Sequence, residues 1–383
     1  MRIVIAPDKF KGSLDAGGVG AAIADGMRSC LPDADITVVP MADGGEGTLE
    51  AAIASGFMEH SLMVTGPLGA PLNASFAVQD HFAVIELARA SGLELLPPAH
   101  RNALAATSRG TGELIVAALD AGATTIVLAI GGSASTDGGA GMLAALGARF
   151  FDEADHELPD GGAALAQLHR VDFSLLDPRI TTTRFLLASD VDNPLLGPRG
   201  AAAVFGPQKG ASRTDIVLLE LALTRFAAHV VKESALGGAA FDATTSAGAG
   251  AAGGVGFAAL HVLGATQRPG VDMVAEFTRL RAHLAGADLV ITGEGSFDRQ
   301  SIGGKTPVGV ERAARSLQIP TIAVCGTTTL PESDWRAAGF VGCYAVMDLA
   351  PNRAESMQHA DRYLREIGSD IAGRLRDESQ SRS

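Results

Sequence analysis

Cysteine is nearly missing from this chain, with Cys30, Cys325 and Cys343 the three among 383 residues. They lie far apart and form no CxxC pair, so neither a disulfide framework nor a thiolate zinc site follows. Free thiols in a reducing compartment are expected. Aromatic residues are scarce at 5 %. Basic residues are outnumbered by acidic ones, 30 to 43, leaving a formal charge of −13. That balance argues against broad nucleic-acid or anionic-membrane binding. The nine histidines show no HExxH or other metal spacing, and GxSxG is absent. A strongly apolar run is missing as well. One uncharged window, Ala243 to Gln267, is long enough to cross a bilayer, but it is mostly Gly, Ala, Ser and Thr, too weakly apolar to insert. Met1-Arg2 leads straight into a strand-like segment without an apolar leader, so a cytoplasmic protein is expected.

What is present is apolar mass and glycine. Hydrophobic residues make up 47 % of the chain, enough for a large core and two domains. Strand and helix signals alternate. Arg2 to Ala6 reads as strand, and Val19, Ile23 and Met27 then line one helix face. Ile216, Leu219, Leu223, Phe226 and Val230 form a second apolar stripe, and Leu364, Ile367, Ile371 and Leu375 a third. Alternation of this kind predicts an α/β fold with a largely parallel sheet. Asn73 to Val78 and His81 to Leu87 read as paired antiparallel strands, and Asp152 to Arg184 as a polar surface segment. The expected organisation is a discontinuous flavodoxin- or Rossmann-like domain, residues 1–65 and 285–383, with a mixed α/β domain of residues 66–284 inserted. The active site is expected in the cleft between them. Glu378 to Ser383 are expected to be disordered.

The richest stretch runs Gly131-Gly132-Ser133-Ala134-Ser135-Thr136-Asp137-Gly138-Gly139 between a strand pattern, Thr125 to Ile130, and a helical run from Gly138 to Ala148. Glycines, hydroxyls and a helix start at one strand end suit phosphate, and Asp137 adds a hard oxygen ligand for Mg²⁺. A tight strand-to-helix turn explains the same composition about as well. Similar acidic, glycine-rich segments recur at Asp43-Gly44-Gly45-Glu46-Gly47-Thr48 and Gly293-Glu294-Gly295-Ser296-Phe297-Asp298. Ligands of open α/β sheets sit outside the carboxyl ends of strands, so the recurrence favours one polar site for phosphate and metal. Asp8-Lys9-Phe10-Lys11 follows the first strand, with two lysines placed to clamp an anion. Asp190-Val191-Asp192-Asn193-Pro194 offers two carboxylates for metal or proton abstraction, against the alternative of an Asx-type turn.

Two motifs fail on context. Gly248 to Gly253 matches GxGxxG, but no convincing strand precedes it, since Asp242 to Ser246 is polar. Gly303-Gly304-Lys305-Thr306 ends like a phosphate-binding loop, yet Arg299 stands where its first glycine is required. Thr306-Pro307 reads as the cap and first turn of a helix, leaving Lys305 near its start.

Taken in order, these blocks resemble the type I glycerate kinase family of bacteria. The resemblance covers Ile5 to Ser13, Met41 to Thr48, the 131–141 loop and Asp190 to Gly197. It continues through Phe205-Gly206-Pro207-Gln208-Lys209-Gly210, Gly248 to Gly256, Thr292 to Asp298 and Gly303 to Pro307. It implies phosphorylation of D-glycerate by ATP with Mg²⁺, preferentially at the 2-position, with 3-phosphoglycerate as the alternative product. The chemistry of phosphoryl transfer then distributes roles. Gly131, Gly132, Ser133, Ser135, Thr136, Gly138, Gly139 and Lys305 would hold phosphate. Asp137, Asp190 and Asp192 would hold Mg²⁺. Lys9, Lys11 and Lys209 would neutralise charge, and Asp190, with Asp192 or Asp43 as further candidates, would accept the hydroxyl proton. Asp8, Lys9, Glu46, Asn193, Glu294 and Ser296 would contact substrate. ATP and D-glycerate are the expected partners, without nucleic acid or membrane, and a homodimer stays open. A nicotinamide-dependent dehydrogenase and a non-catalytic nucleotide-binding regulator are the rival readings.

Overall fold

The structure is a computed structural model and describes residues 1–233 and 240–381. Its strands begin with β1 (Arg2–Pro7), β2 (Asp35–Val38), β3 (Met58–Thr65), β4 (Pro71–Gln79), β5 (Phe82–Glu86) and β6 (Thr125–Ala129). They continue with β7 (Arg149–Phe151), β8 (Arg170–Asp172), β9 (Arg184–Ala188) and β10 (Thr266–Arg268). The last three are β11 (Leu289–Phe297), β12 (Thr321–Thr328) and β13 (Phe340–Ala345). The chain divides into two compact units. One comprises Met1–Asp43, Glu50–Ser55 and the chain from Val271; the other comprises Gly44–Leu49 and Gly56–Gly270.

The first unit is built on an all-parallel sheet in the order β13-β12-β11-β1-β2. Relabelled by position in this unit, that is the flavodoxin-like order, whose connections reverse direction beside the first strand. From Ile3 onward β1 is apolar because both its faces are covered. Ile3 and Ile5 join Val19, Ile23, Met27, Leu364, Ile367 and Ile371 on one side. Val4 and Ala6 join Val271, Val274, Leu280 and Val310 on the other. The helices Ala16–Cys30 and Ala360–Ser381 touch backbone to backbone. A Cβ on Gly26 would lie 2.0 Å from the Arg365 carbonyl oxygen, so no other residue fits there without parting the helices.

The second unit holds a mixed sheet, β10-β9-β6-β5-β4-β3, parallel from β10 to β5 and antiparallel through β4 and β3. β7 and β8 form a separate antiparallel pair. The apolar stripe of the helix Arg213–Glu233 packs Leu219, Leu223, Phe226 and Val230 into the core of this unit.

Several local expectations change. Met58–Thr65, given to the first domain by its position, pairs along its whole length with β4 in the second sheet. The helices Gly270–Phe277 and Leu280–Leu284 contribute Val271, Val274, Leu280 and Leu284 to the first unit's core, although their positions lay in the proposed insert. Gly293-Glu294-Gly295-Ser296-Phe297 is not a loop; β11 runs through it, pairing with β12 as far as Phe297↔Thr328. Asp152 to Arg184 is not merely surface, because Leu165, Leu168, Val171 and Ile180 are buried. The helix after β6 is confined to Ala140–Ala145. Gly248–Gly253 follows the helix Ala240–Thr245 rather than a strand, which removes the dinucleotide reading on structural grounds. The final helix reaches Ser381, so Glu378 to Ser381 are helical, and Arg382 and Ser383 lie outside the described residues. Among the described residues no helix is long and apolar enough to cross a membrane.

Candidate active site

In the first unit, β1 and β11 are neighbours with Pro7 beside Gly293, so the residues that follow, Asp8 and Glu294, emerge side by side at the switch point. Gly293 is required by the next strand over, since a Cβ there would lie 1.6 Å from the Val324 carbonyl oxygen. Asp8 is buried. Its carboxylate accepts hydrogen bonds from the Thr306 hydroxyl at 2.6 Å and the Lys9 amide at 2.7 Å, while the Lys9 ammonium lies 3.7 Å away. Lys305, not Thr306, is the cap of the helix Thr306–Arg315. The Thr306 hydroxyl is engaged with Asp8 instead.

A cavity of about 530 Å³ opens here, lined by Asp8, Lys9, Lys11, Asp43, Glu294 and Ser296. Asp298, Lys305 and Arg353 complete its charged wall. Burial pushes the Glu294 carboxyl up to about 7; a Ser301 hydrogen bond and Lys305 oppose the rise, and the charges of Asp8 and Asp43 add to it. Glu294 Oε1 is buried without a hydrogen-bond partner. Burial likewise raises Asp8, with Lys9 opposing and Asp43 assisting. Carboxyl groups of this kind in a polar cavity mark a place where protons are exchanged or an anion is handled.

The second unit gathers its polar loops at the carboxyl ends of β5, β6 and β9, but most of them face inward. Asp137 is fully buried. Its Oδ2 accepts from the Ser108 amide and hydroxyl, both at 2.8 Å, and from the Gly141 amide at 3.2 Å; its Oδ1 accepts from the Gly139 amide at 3.1 Å. Three of these bonds fall on Oδ2, so the buried Asp137 carboxylate is a tie that holds this loop, the alternative to the metal-ligand role expected for it. Gly138 and Gly139 are also engaged, the former donating to the Gly253 carbonyl at 3.0 Å. Their amides therefore hold the fold together rather than cradle phosphate. Ser133, Ser135 and Thr136 are buried, and the Ser135 and Thr136 hydroxyls have no hydrogen-bond partner. Gly131 and Gly132 are the part of the loop that reaches solvent.

Lys209, expected from its motif to neutralise substrate charge, is buried against the same loop. It is 2 % exposed and donates to the Ser133 hydroxyl at 2.7 Å and the Ser135 carbonyl at 2.5 Å. Burial lowers its ammonium to about 7, with Asp137 pulling the other way. It braces the loop from within and is not presented to a substrate.

Asp190 stands exposed at the end of β9, with its Oδ1 accepting the Gly270 amide at 3.2 Å. Asp192 lies in an exposed pair with Arg199 at 3.3 Å, and the Asn193 amide donates to the Arg199 carbonyl at 2.7 Å. Glu46 is exposed in the segment before the helix Thr48–Ala54. Among the described residues no three His, Cys, Asp or Glu side chains are clustered to hold a metal. A nucleotide-borne Mg²⁺ takes one or two carboxylates and completes its octahedron with phosphate and water, and Asp190 fits that smaller demand.

Some contributors escaped the motif reading. Ser108 lies 29 residues from the Asp137 it satisfies, and nothing local announces it. Glu86 was more legible: a glutamate ending the apolar run Phe82–Glu86 is anomalous unless something buried needs its charge.

A family model for the glycerate kinase family matches residues 3–376. Glycerate kinase of Bacillus subtilis is 44 % identical over 98 % of both chains. Glycerate 2-kinase of Escherichia coli is 48 % identical over 86 % of each. A crystal structure of a Salmonella typhimurium LT2 protein provisionally named glycerate kinase 2 superposes with a TM-score of 0.86, at 42 % identity and covering 99 % of both chains. Matched by the family model over residues 3–376 and by these relatives over most of its length, the chain belongs to the glycerate kinase family.

Proposed function

We propose that this protein transfers the γ-phosphoryl group of Mg·ATP to the 2-hydroxyl of D-glycerate, releasing ADP and 2-phospho-D-glycerate. The observation that carries the reading is the 530 Å³ cavity at the β1/β11 switch point, which combines Glu294 near neutrality with Lys9, Lys11 and Lys305. Phosphoryl transfer asks a protein for positioning and charge neutralisation, and a base titrating near 7 is matched to removing a hydroxyl proton at physiological pH. Glu294 takes the role of base in this reading, displacing Asp190, the choice made from sequence. Lys9, Lys11 and Lys305 neutralise the glycerate carboxylate and the moving phosphoryl group. Burial keeps the Glu294 proton affinity high, with the charges of Asp8 and Asp43 adding to it, and Ser296 lies on the cavity wall as a hydroxyl for substrate. Gly131 and Gly132 offer backbone to nucleotide phosphate, and Asp190 supplies a carboxylate to Mg²⁺. When bound, Mg²⁺ neutralises charge on the phosphate oxygens. The 2-position is supported by the Escherichia coli relative, which is named a glycerate 2-kinase.

Purified protein incubated with Mg·ATP and D-glycerate is expected to release ADP only when glycerate is present, with a single 2-phosphoglycerate resonance in the phosphorus NMR spectrum. EDTA is expected to stop the reaction and Mg²⁺ to restore it. Product that is solely 3-phosphoglycerate overturns the position assignment, and glycerate-independent ADP release overturns the reaction.

A further inference from the structure

Glu86 is a buried charged group that the transfer mechanism does not use. It is 1 % exposed at the carboxyl end of β5. Its Oε2 accepts the Gly47 amide at 3.2 Å and the Leu49 amide at 3.1 Å, and its Oε1 lies 3.3 Å from the Arg89 guanidinium. Both amides belong to Gly44–Leu49, the segment directly after Asp43 in sequence. Gly44 and Gly47 adopt φ of +86° and +97°, so the backbone there makes turns that other residues resist. The segment lies against the β6 loop so closely that a Cβ on Gly131 would stand 2.7 Å from the Gly45 Cα. Arg89, half-buried, feels the charge of Glu46 as well as Glu86. One carboxylate therefore ties three things together: the start of the helix Thr48–Ala54, the glycine turns ahead of it, and the guanidinium beside them.

We propose that Glu86 is a positioning residue for phosphoryl transfer. It latches Gly44–Leu49 against Gly131, setting Glu46 and the solvent-facing end of the β6 loop in their working places. The inference rests on the kinase reading above. Burying a carboxylate is costly unless its oxygens accept hydrogen bonds and its charge is paired; Arg89 pairs the Glu86 charge, and the Gly47 and Leu49 amides of this segment satisfy its Oε2. An apolar residue in its place would leave the Gly47 and Leu49 amides without acceptors.

The test uses the full chain with E86A and E86Q, read by amide hydrogen exchange and by steady-state kinetics. E86A is expected to speed exchange at Gly47 and Leu49 and to lower kcat roughly 10²-fold, the scale of a misplacement of about 1 Å. The KM for D-glycerate is expected to stay within about threefold, because the cavity residues of the first unit are untouched. E86Q keeps the side-chain volume and one carbonyl acceptor, so it guards against simple unfolding. Its amide nitrogen meets Arg89 donor to donor, and an intermediate loss of roughly tenfold in kcat is expected. Faster exchange with kcat unchanged would leave Glu86 a purely structural residue and overturn the proposal. Loss of kcat in E86Q with exchange at Gly47 and Leu49 unchanged overturns it too. If wild-type protein does not turn over D-glycerate at all, the kinase reading falls, and the exchange measurement still decides whether Glu86 latches the segment.

Discussion

The β11 end of the first unit and the β6 end of the second carry similar chemistry in sequence, an acidic residue among glycines and serines, and use it in opposite ways. At β6, Asp137 receives four hydrogen bonds and Lys209 is sealed behind it, so the two charged side chains of this end are spent on the loop itself, while the Ser135 and Thr136 hydroxyls stay buried. At β11, Glu294 holds a buried oxygen without a partner and opens on a cavity with Lys9, Lys11 and Lys305. A polar residue whose bonds are complete within the chain has little left for a ligand. Composition marks both places as special, while saturation decides which one is left to act.

Substitutions can break that contrast. The largest effect is expected from Asp137→Ala, which strands the donors of Ser108, Gly139 and Gly141 in the core. A loss of about 3 kcal/mol or more is expected in urea unfolding, with activity falling only as the folded fraction falls. A variant that melts like wild type but has lost turnover would make Asp137 a ligand after all.

Glu294→Gln is expected to do the reverse, lowering turnover roughly 10²-fold without loss of stability. The folded chain holds the Glu294 proton up to about 7, against an ordinary value of 4.5. The resulting stabilisation is complete below the ordinary value and is lost as pH rises through about 7. Gln, which stays neutral, should therefore match wild type in melting temperature near pH 4 and exceed it at pH 8. The limb of the wild-type rate profile that rises through neutral pH should vanish in the variant. A melting-temperature difference that does not change between the two pH values would mean that Glu294 titrates normally.

The smallest effect belongs to Asp192→Ala. Asp192 and its partner Arg199 are both exposed, and surface pairs of this kind contribute under about 1 kcal/mol. Turnover within about twofold of wild type is expected. A tenfold rise in the Mg²⁺ concentration needed for half-maximal rate would restore Asp192 as a ligand.

Much of the fold was legible because its signals are local. Val19, Ile23 and Met27 lie at helical spacing, and they are buried as that spacing predicts. Within β11, Gly293-Glu294-Gly295 imitates a turn; only the approach of β12, which leaves no room for a side chain at Gly293, explains glycine in mid-strand. For the site, the motif residues Asp8, Lys9, Lys11, Asp43, Glu294, Ser296 and Lys305 do meet around one cavity. The loop-holding bonds of Asp137 and Lys209 were not legible because their partners, Ser108 and Ser133, stand 29 and 76 residues away. Spacing along a chain carries no record of such partners.

The pairing of β1 with β11 joins Ile3 to Leu289, and this fixes an order of events during synthesis. The first strand leaves the ribosome long before its central neighbour exists, and every residue of the second unit must be made in between. That unit, with its own sheet and core, can settle while β1 and β2 wait with apolar faces uncovered. Closing so long a loop adds only a slowly growing entropy cost, so the finished protein is not penalised for the detour. The newborn chain is, because an unpaired strand exposed for that interval is open to misassociation. Chaperone demand should therefore track the time between the making of residues 7 and 289, more than the stability of the completed enzyme.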